Sequence, residues 1–253
     1  MKPLALITGG SAGIGLATAH ALGAGGFRVL ICGRSPQRLA GARAELEAAR
    51  VEVRAWECDI TQVTQVEALV GRLAEEDEKI DVLVNNAGDL EAFPIDRPDD
   101  AAWRRVIDAN LTAPYYVTSR CVPHLRDGGR VIFISSVLGR MGVPGSSAYC
   151  AAKHGVIGFA KAVALELAPR GITVNTVCPG WTETQLAREV MERAASQMGI
   201  SSEEFRRQAL SRVPTGRMVE PAEVAALVRF LVSPEAGNIT GQAYQICGGQ
   251  FMF

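Results

Sequence analysis

Leu4-Ala5-Leu6-Ile7-Thr8-Gly9-Gly10-Ser11-Ala12-Gly13-Ile14-Gly15-Leu16-Ala17-Thr18-Ala19-His20-Ala21-Leu22 passes from an unbroken apolar run, through a glycine-rich turn, into a helical pattern. A continuous apolar run of this length suits a strand buried on both faces, and glycine lets the backbone turn tightly and approach a ligand. The helix that follows presents unpaired N–H groups to an anion. Gly9, Ser11, Gly13, Ile14 and Gly15 are therefore expected to cradle the pyrophosphate of a dinucleotide. The alternative is a plain strand-to-helix connection.

The same rhythm continues along the chain. Short β-rich runs at residues 28–32, 52–57, 82–85, 130–135 and 173–178, with a last one at 242–247, are separated by helix-length segments. Near-continuous apolar strands alternating with helices imply a parallel sheet covered on both faces, a doubly wound α/β fold. No repeat or Pro/Ser-rich linker interrupts it, so one domain over residues 1–253 is expected. The charged segment from about 183 to 212 departs from this rhythm and reads as a helical insertion suited to a substrate lid. Its apolar side chains Leu186, Val190, Met191, Met198, Ile200, Phe205 and Leu210 either cover a hydrophobic substrate or pack as ordinary amphipathic helices. Trp181 and Met141 are further candidates for the pocket wall.

With 253 residues, 48% of them hydrophobic, and a net charge of −1, the chain can bury a large core but offers no basic surface for nucleic acid or an anionic membrane. No apolar stretch is long enough to span a bilayer, and the start lacks a signal-peptide pattern, so a cytoplasmic protein is expected. The six cysteines form no Cys-x-x-Cys pair, and the three histidines have no metal-ligand spacing. Reduced thiols and no bound metal follow.

Two further stretches carry chemistry. Tyr149-Cys150-Ala151-Ala152-Lys153 puts a phenol and an ammonium on one helix face, where the cation favours the phenolate. In the helical pattern at residues 102–125, Pro114 has no N–H for the carbonyl of Asn110 four residues earlier. That carbonyl is expected to be freed at a kink and to suit a bound water, unless the proline is merely tolerated. At the end of the second strand, Ile31-Cys32-Gly33-Arg34-Ser35 lacks the carboxylate that would meet a ribose 2′-hydroxyl. Arg34 and Ser35 suit a 2′-phosphate instead, favouring NADP over NAD, although a solvent-facing arginine would read the same way.

With Thr8-Gly9 through Gly15, Asn85-Asn86-Ala87-Gly88, Ser136, Tyr149-x-x-x-Lys153 and Pro179-Gly180 in this order, the chain resembles the short-chain dehydrogenase/reductase family over essentially its whole length. The resemblance implies a Rossmann-type fold with a seven-stranded parallel sheet. It makes Tyr149 the catalytic acid/base and Lys153 the group that lowers its pKa and binds the nicotinamide ribose, so that both count among the cofactor contacts. Ser136 would hold the substrate oxygen, and the main-chain carbonyl of Asn110 a water linked to the lysine. It also implies that Asp59 and Ile60 meet the adenine, Asn86 the adenosine ribose side, and Thr182 and Thr184 the nicotinamide carboxamide and pyrophosphate. Ser136 alone would read as a strand-end or capping serine, and Asp59 as a turn acid.

Within the family the chain looks most like 3-oxoacyl and polyketide ketoreductases, from Cys178-Pro179-Gly180-Trp181-Thr182-Glu183-Thr184, the insertion and Cys247-Gly248-Gly249. Asp89-Leu90-Glu91 and Ala12 depart from the pattern, the latter removing a basic residue common in NADP-preferring relatives. The expectation is thus an NADP(H)-dependent oxidoreductase interconverting a ketone, free or carrier-bound, and a secondary alcohol, and a homotetramer by resemblance. The competing readings are an NAD-dependent dehydrogenase of a hydroxy acid, its thioester or a cyclic alcohol, and a non-catalytic nucleotide sensor.

Overall fold

Alternation within each strand builds the two faces of the sheet. In β1 (Leu4–Thr8), Leu4 and Leu6 point into one apolar cluster while Ala5 and Ile7 point into the other. The computed structural model, which describes residues 2–252, repeats this in β2 (Arg28–Gly33), β4 (Ile80–Asn85) and β5 (Leu125–Ile134), with β3 (Val53–Glu57), β6 (Thr173–Pro179) and β7 (Ala243–Ile246) completing the sheet. All seven strands are parallel, in the order β3-β2-β1-β4-β5-β6-β7. Parallel neighbours need crossovers, and the helices that supply them cover both faces. On one side lie α1 (Gly13–Ala24), α2 (Pro36–Ala48) and α9 (Pro221–Val232), over Ile7, Ile31, Val84 and Ile132. On the other lie α3 (Val63–Glu75), α4 (Asp100–Ile107), α5 (Ala113–Cys121) and α6 (Ser147–Leu167), over Leu6, Leu30, Leu83 and Phe133.

The strand order reverses between β1 and β4, and the C-terminal ends of these two strands diverge there into Gly9 and Asn86. Such a switch point opens a crevice at the carboxyl edge of the sheet. Asn86 ties its two banks together: its Nδ2 donates to the carbonyls of Thr8 (2.9 Å) and Gly9 (3.1 Å), while Thr8 Oγ1 accepts from the N–H groups of Asn86 and Ala87.

Two expectations need correction. The helix expected over residues 102–125 is broken: α4 ends at Ile107, a π turn runs Asp108–Thr112, and α5 gives way to a 3-10 turn at Val122–His124. The break follows from Pro114, which cannot donate in an α-helical ladder; the N–H before it, on Ala113, reaches five residues back to Asp108. The fifth strand begins at Leu125 instead of 130, pairing with Ile80 before a register shift that brings Arg130 opposite Val82. Gly128, with φ of 77°, lets the backbone absorb that shift. The 183–212 insertion forms α7 (Gln185–Met198) and α8 (Ser202–Leu210), capped by Thr184 and Ser201. Its base is fastened by Val219, whose N–H donates to Trp181 and whose carbonyl accepts from Glu183. Among the described residues no helix is long and apolar enough to cross a membrane.

Candidate active site

A cleft of about 1040 Å³ opens along the carboxyl edge of β1, β2, β4, β5 and β6, roofed by α7 and α8. Its first wall is the glycine-rich turn. Gly13 holds φ of 52°, a left-handed backbone that favours glycine. At Gly15 a Cβ would lie 2.3 Å from the carbonyl oxygen of Gly9 and 2.5 Å from Asn86 Nδ2, so the turn closes on itself only with glycine there. Gly9, Ser11, Gly13 and Ile14 line the cleft beside it, and the Thr184 side chain, at the start of α7, packs against Gly13. This leaves a cradle of backbone at a helix N-terminus that fits a pyrophosphate.

Arg34, Ser35, Asp59 and Ile60 line the far end of the same cleft. Ser35 caps α2, its Oγ accepting from Arg38 N–H at 3.3 Å. Asp59 Oδ1 accepts from the N–H and hydroxyl of Thr61 at 3.0 and 2.8 Å, so it is a turn acid placed on the cleft wall. Arg38 also lines this end. The sequence marks no cofactor motif at this position; Arg38 stands three residues after the Ser35 cap, in the first turn of α2. With Ala12 in the glycine-rich turn, Arg34 and Arg38 are the cations at this end.

The reacting groups converge where β5 meets α6. Ser136 stands just past β5 and caps a 3-10 turn at Val137–Gly139: its Oγ accepts the N–H of Leu138 at 3.1 Å, which leaves its own proton free to be donated elsewhere. Tyr149 and Lys153 lie one turn apart on α6, and all three line the cleft. The Lys153 ammonium, 4% exposed, donates to the carbonyl of Ile134 at 2.9 Å and sits 5.5 Å from the centre of the Tyr149 ring. Ser135 Oγ donates to the Lys153 carbonyl at 3.0 Å and so pins α6 to the end of β5.

The electrostatics differ from the expectation. Burial pushes the Tyr149 phenol above its ordinary value, with the Ser136 hydroxyl opposing and Cys150 and Asp89 adding to the rise. Burial also brings Lys153 down from 10.5 to about 8. The ammonium is spent on a carbonyl and is not bonded to the phenol, so desolvation dominates both groups. Tyr149 is accordingly a protonated phenol at neutral pH.

Asn110 is 1% exposed in the π turn, and its Nδ2 donates to the carbonyls of Asp89 (2.7 Å) and Val106 (2.8 Å). Its Oδ1 is buried with no protein partner and lies near the Gly88 backbone, which in turn adjoins the Lys153 ammonium. The sequence points to the main-chain carbonyl of Asn110 as the free acceptor; the unpartnered acceptor in the fold is instead its side-chain Oδ1, which fits a water between Asn110 and Lys153. Thr182 is buried and donates to the Gly180 carbonyl at 3.0 Å, and Thr184 caps α7. The Asn86 amide is used up in stapling the crevice. Trp181, Met141, Leu186, Val190, Met198 and Phe205 face the cleft, with Trp181 and Phe205 edge to face at 6.4 Å, whereas Met191 is buried beneath α7.

Residues 3–195 match the family model for short chain dehydrogenase. The chain belongs to that family. A putative ketoacyl reductase of Streptomyces coelicolor is 42% identical to this short-chain dehydrogenase over 250 residues, covering 97% of this chain and 96% of the relative. A 3-oxoacyl-(acyl-carrier-protein) reductase of Vibrio harveyi is 39% identical over 252 residues, covering 98% and 97%. Among solved structures, a variant of actinorhodin polyketide ketoreductase with NADPH superposes with a TM-score of 0.96 at 42% identity, covering 100% of this chain and 98% of that one. The short-chain dehydrogenase described here is an oxidoreductase of this fold.

Proposed function

We propose that this oxidoreductase uses NADPH to reduce the ketone of a 3-oxoacyl or polyketide-like chain to a secondary alcohol, with Asn110, Ser136, Tyr149 and Lys153 as its active-site set. The observation that carries the proposal is the convergence of Ser136, Tyr149 and Lys153 on one cleft with a glycine cradle and two arginines at its far end. When bound, the nicotinamide supplies the hydride that the carbonyl carbon accepts. Tyr149, protonated at neutral pH, gives its phenolic proton to the ketone oxygen, and Ser136 donates a hydrogen bond to the same oxygen. One hydride and one proton turn C=O into CH–OH. Lys153 holds the nicotinamide ribose, and the Asn110–Lys153 side of the cleft passes a proton back toward the phenol.

Titration with NADPH and NADH, followed by addition of a 3-oxoacyl thioester or a cyclic ketone, tests this reading. NADPH is expected to bind more tightly and to be oxidised only when ketone is present. Arg34→Ala is expected to weaken NADPH about tenfold, the modest value suited to an exposed charge-assisted contact, and to leave NADH unaffected. Equal losses for both nucleotides would remove the 2′-phosphate from Arg34.

The protein is further read as a cytoplasmic homotetramer. Trp103, Tyr115 and Leu165, on α4, α5 and α6, are 40%, 47% and 79% exposed, an apolar surface that assembly would cover. Sedimentation velocity is expected to give a species four times the chain mass of 26.9 kDa. A monomer at micromolar concentration would overturn this.

A further inference from the structure

Asp89 lies on the cleft wall with Tyr149 and, among the described residues, forms no ion pair, although its charge is felt by Arg105 as well as by Tyr149. It lies exposed just beyond β4, with its backbone held in place. Its carbonyl accepts from the buried Asn110 side chain, and its Oδ1 accepts from Leu90 N–H at 2.8 Å. The cations around it are engaged elsewhere. From α4, Arg105 bonds Glu91 at 2.8 Å; from α7, Arg193 donates to the Leu90 carbonyl at 3.2 Å. Lys153 donates to Ile134. Glu189, also on α7, adds a second carboxylate to the wall, and Arg212, beyond α8, lines the α8 side.

We propose that Asp89 selects the substrate by charge, admitting ketones whose acyl carbon is neutral, as in an ester or thioester, and excluding free 3-oxo carboxylates. The inference rests on the reductase reading and names its substrate class. A 3-oxo acid has its carboxylate two carbons from the reacting carbonyl, so a ketone at Tyr149 would bring that charge close to Asp89. Asp89 is exposed on the cleft wall, and like charges a few ångströms apart in such a solvated setting repel by enough to change specificity several-fold. Esterification or thioesterification removes the charge and leaves the ketone untouched. An aliphatic thioester chain then meets Leu186, Val190, Met198 and Phe205.

The test compares kcat/KM for methyl 3-oxobutanoate and 3-oxobutanoate, which differ in that charge and one methyl group, in the wild type, Asp89→Asn and Arg212→Ala; the change in their ratio on Asp89→Asn isolates the charge. Asparagine keeps the Oδ1 acceptor for Leu90 N–H, so the turn survives, and NADPH fluorescence titration checks that the variants are folded. The wild type is expected to favour the ester several-fold, and Asp89→Asn to lower that ratio by about threefold. A ratio unmoved by Asp89→Asn overturns the inference while leaving the reductase reading standing. A wild-type preference for the acid that disappears in Arg212→Ala also overturns it, by making Arg212 a carboxylate receptor. Absence of any ketone reduction with bound NADPH overturns both readings together.

Discussion

Tyr149→Phe is expected to lower ketone reduction about 10²–10⁴-fold, the loss that follows removal of a positioned general acid. Burial pushes the pKa of the Tyr149 phenol up, so at neutral pH the hydroxyl keeps its proton and is ready to give it. The nearby Ser136 is oriented by Leu138 N–H and can donate to the same substrate oxygen, but a serine hydroxyl is too weak an acid to replace the phenol. Phenylalanine removes one oxygen from a ring whose packing on α6 is otherwise unchanged. NADPH titration should therefore shift by less than about threefold while turnover collapses, a loss made only in the transition state. The direction of the pKa shift adds a second expectation. Reduction needs the protonated phenol and should be flat through neutral pH, whereas alcohol oxidation needs it deprotonated and should climb as pH rises. Wild-type turnover in the Phe variant would move the proton donor away from Tyr149.

Much of this architecture was legible in the chain. Strand and helix rhythm led to the doubly wound sheet because parallel strands buried on both faces leave an unbroken apolar signature, as Leu4–Thr8 does. The glycine turn was legible because Gly13 and Gly15 are required by backbone geometry, which few other residue types satisfy. What stayed hidden depended on contacts across long separations. That Asn86 would be used on Thr8 and Gly9, 78 and 77 residues away, has no local signal. Neither has the Ile134 carbonyl that takes the Lys153 ammonium. The sequence placed that ammonium next to a phenol by helix spacing alone and so inferred a lowered phenol pKa. Spacing says nothing of burial, and burial decides the direction for both groups. Pro114 shows the converse: a missing N–H is a local fact, and it foretold the interruption near Asn110, but not that the ladder would relax into a π turn.

Lys153→Met is expected to reduce turnover by two orders of magnitude or more, about the loss seen when a catalytic set loses a member, and to alter how stability depends on pH. An ammonium 4% exposed is held at a cost. Its pKa falls from 10.5 in an open chain to about 8 in the fold, so below pH 8 the native state carries a penalty of about 3 kcal/mol. Between pH 8 and 10.5 the unfolded chain holds more protons than the native one at this site, and stability therefore rises with pH across that window. Tyr149 works in the opposite sense only where an unfolded tyrosine ionises, near pH ~10, which leaves the interval from 8 to about 9.5 to the lysine. Methionine has no charge to desolvate and leaves the Ile134 carbonyl without its donor, a cost that does not change with pH. Urea unfolding at pH 7.0 and about 9.5 should show the wild type gaining about 2 kcal/mol relative to Lys153→Met as the pH rises. Parallel stability curves for the two proteins would mean that the native ammonium is solvated. The cation that is to meet a nucleotide would then have been kept in water instead of being stored in the core at the expense of the fold.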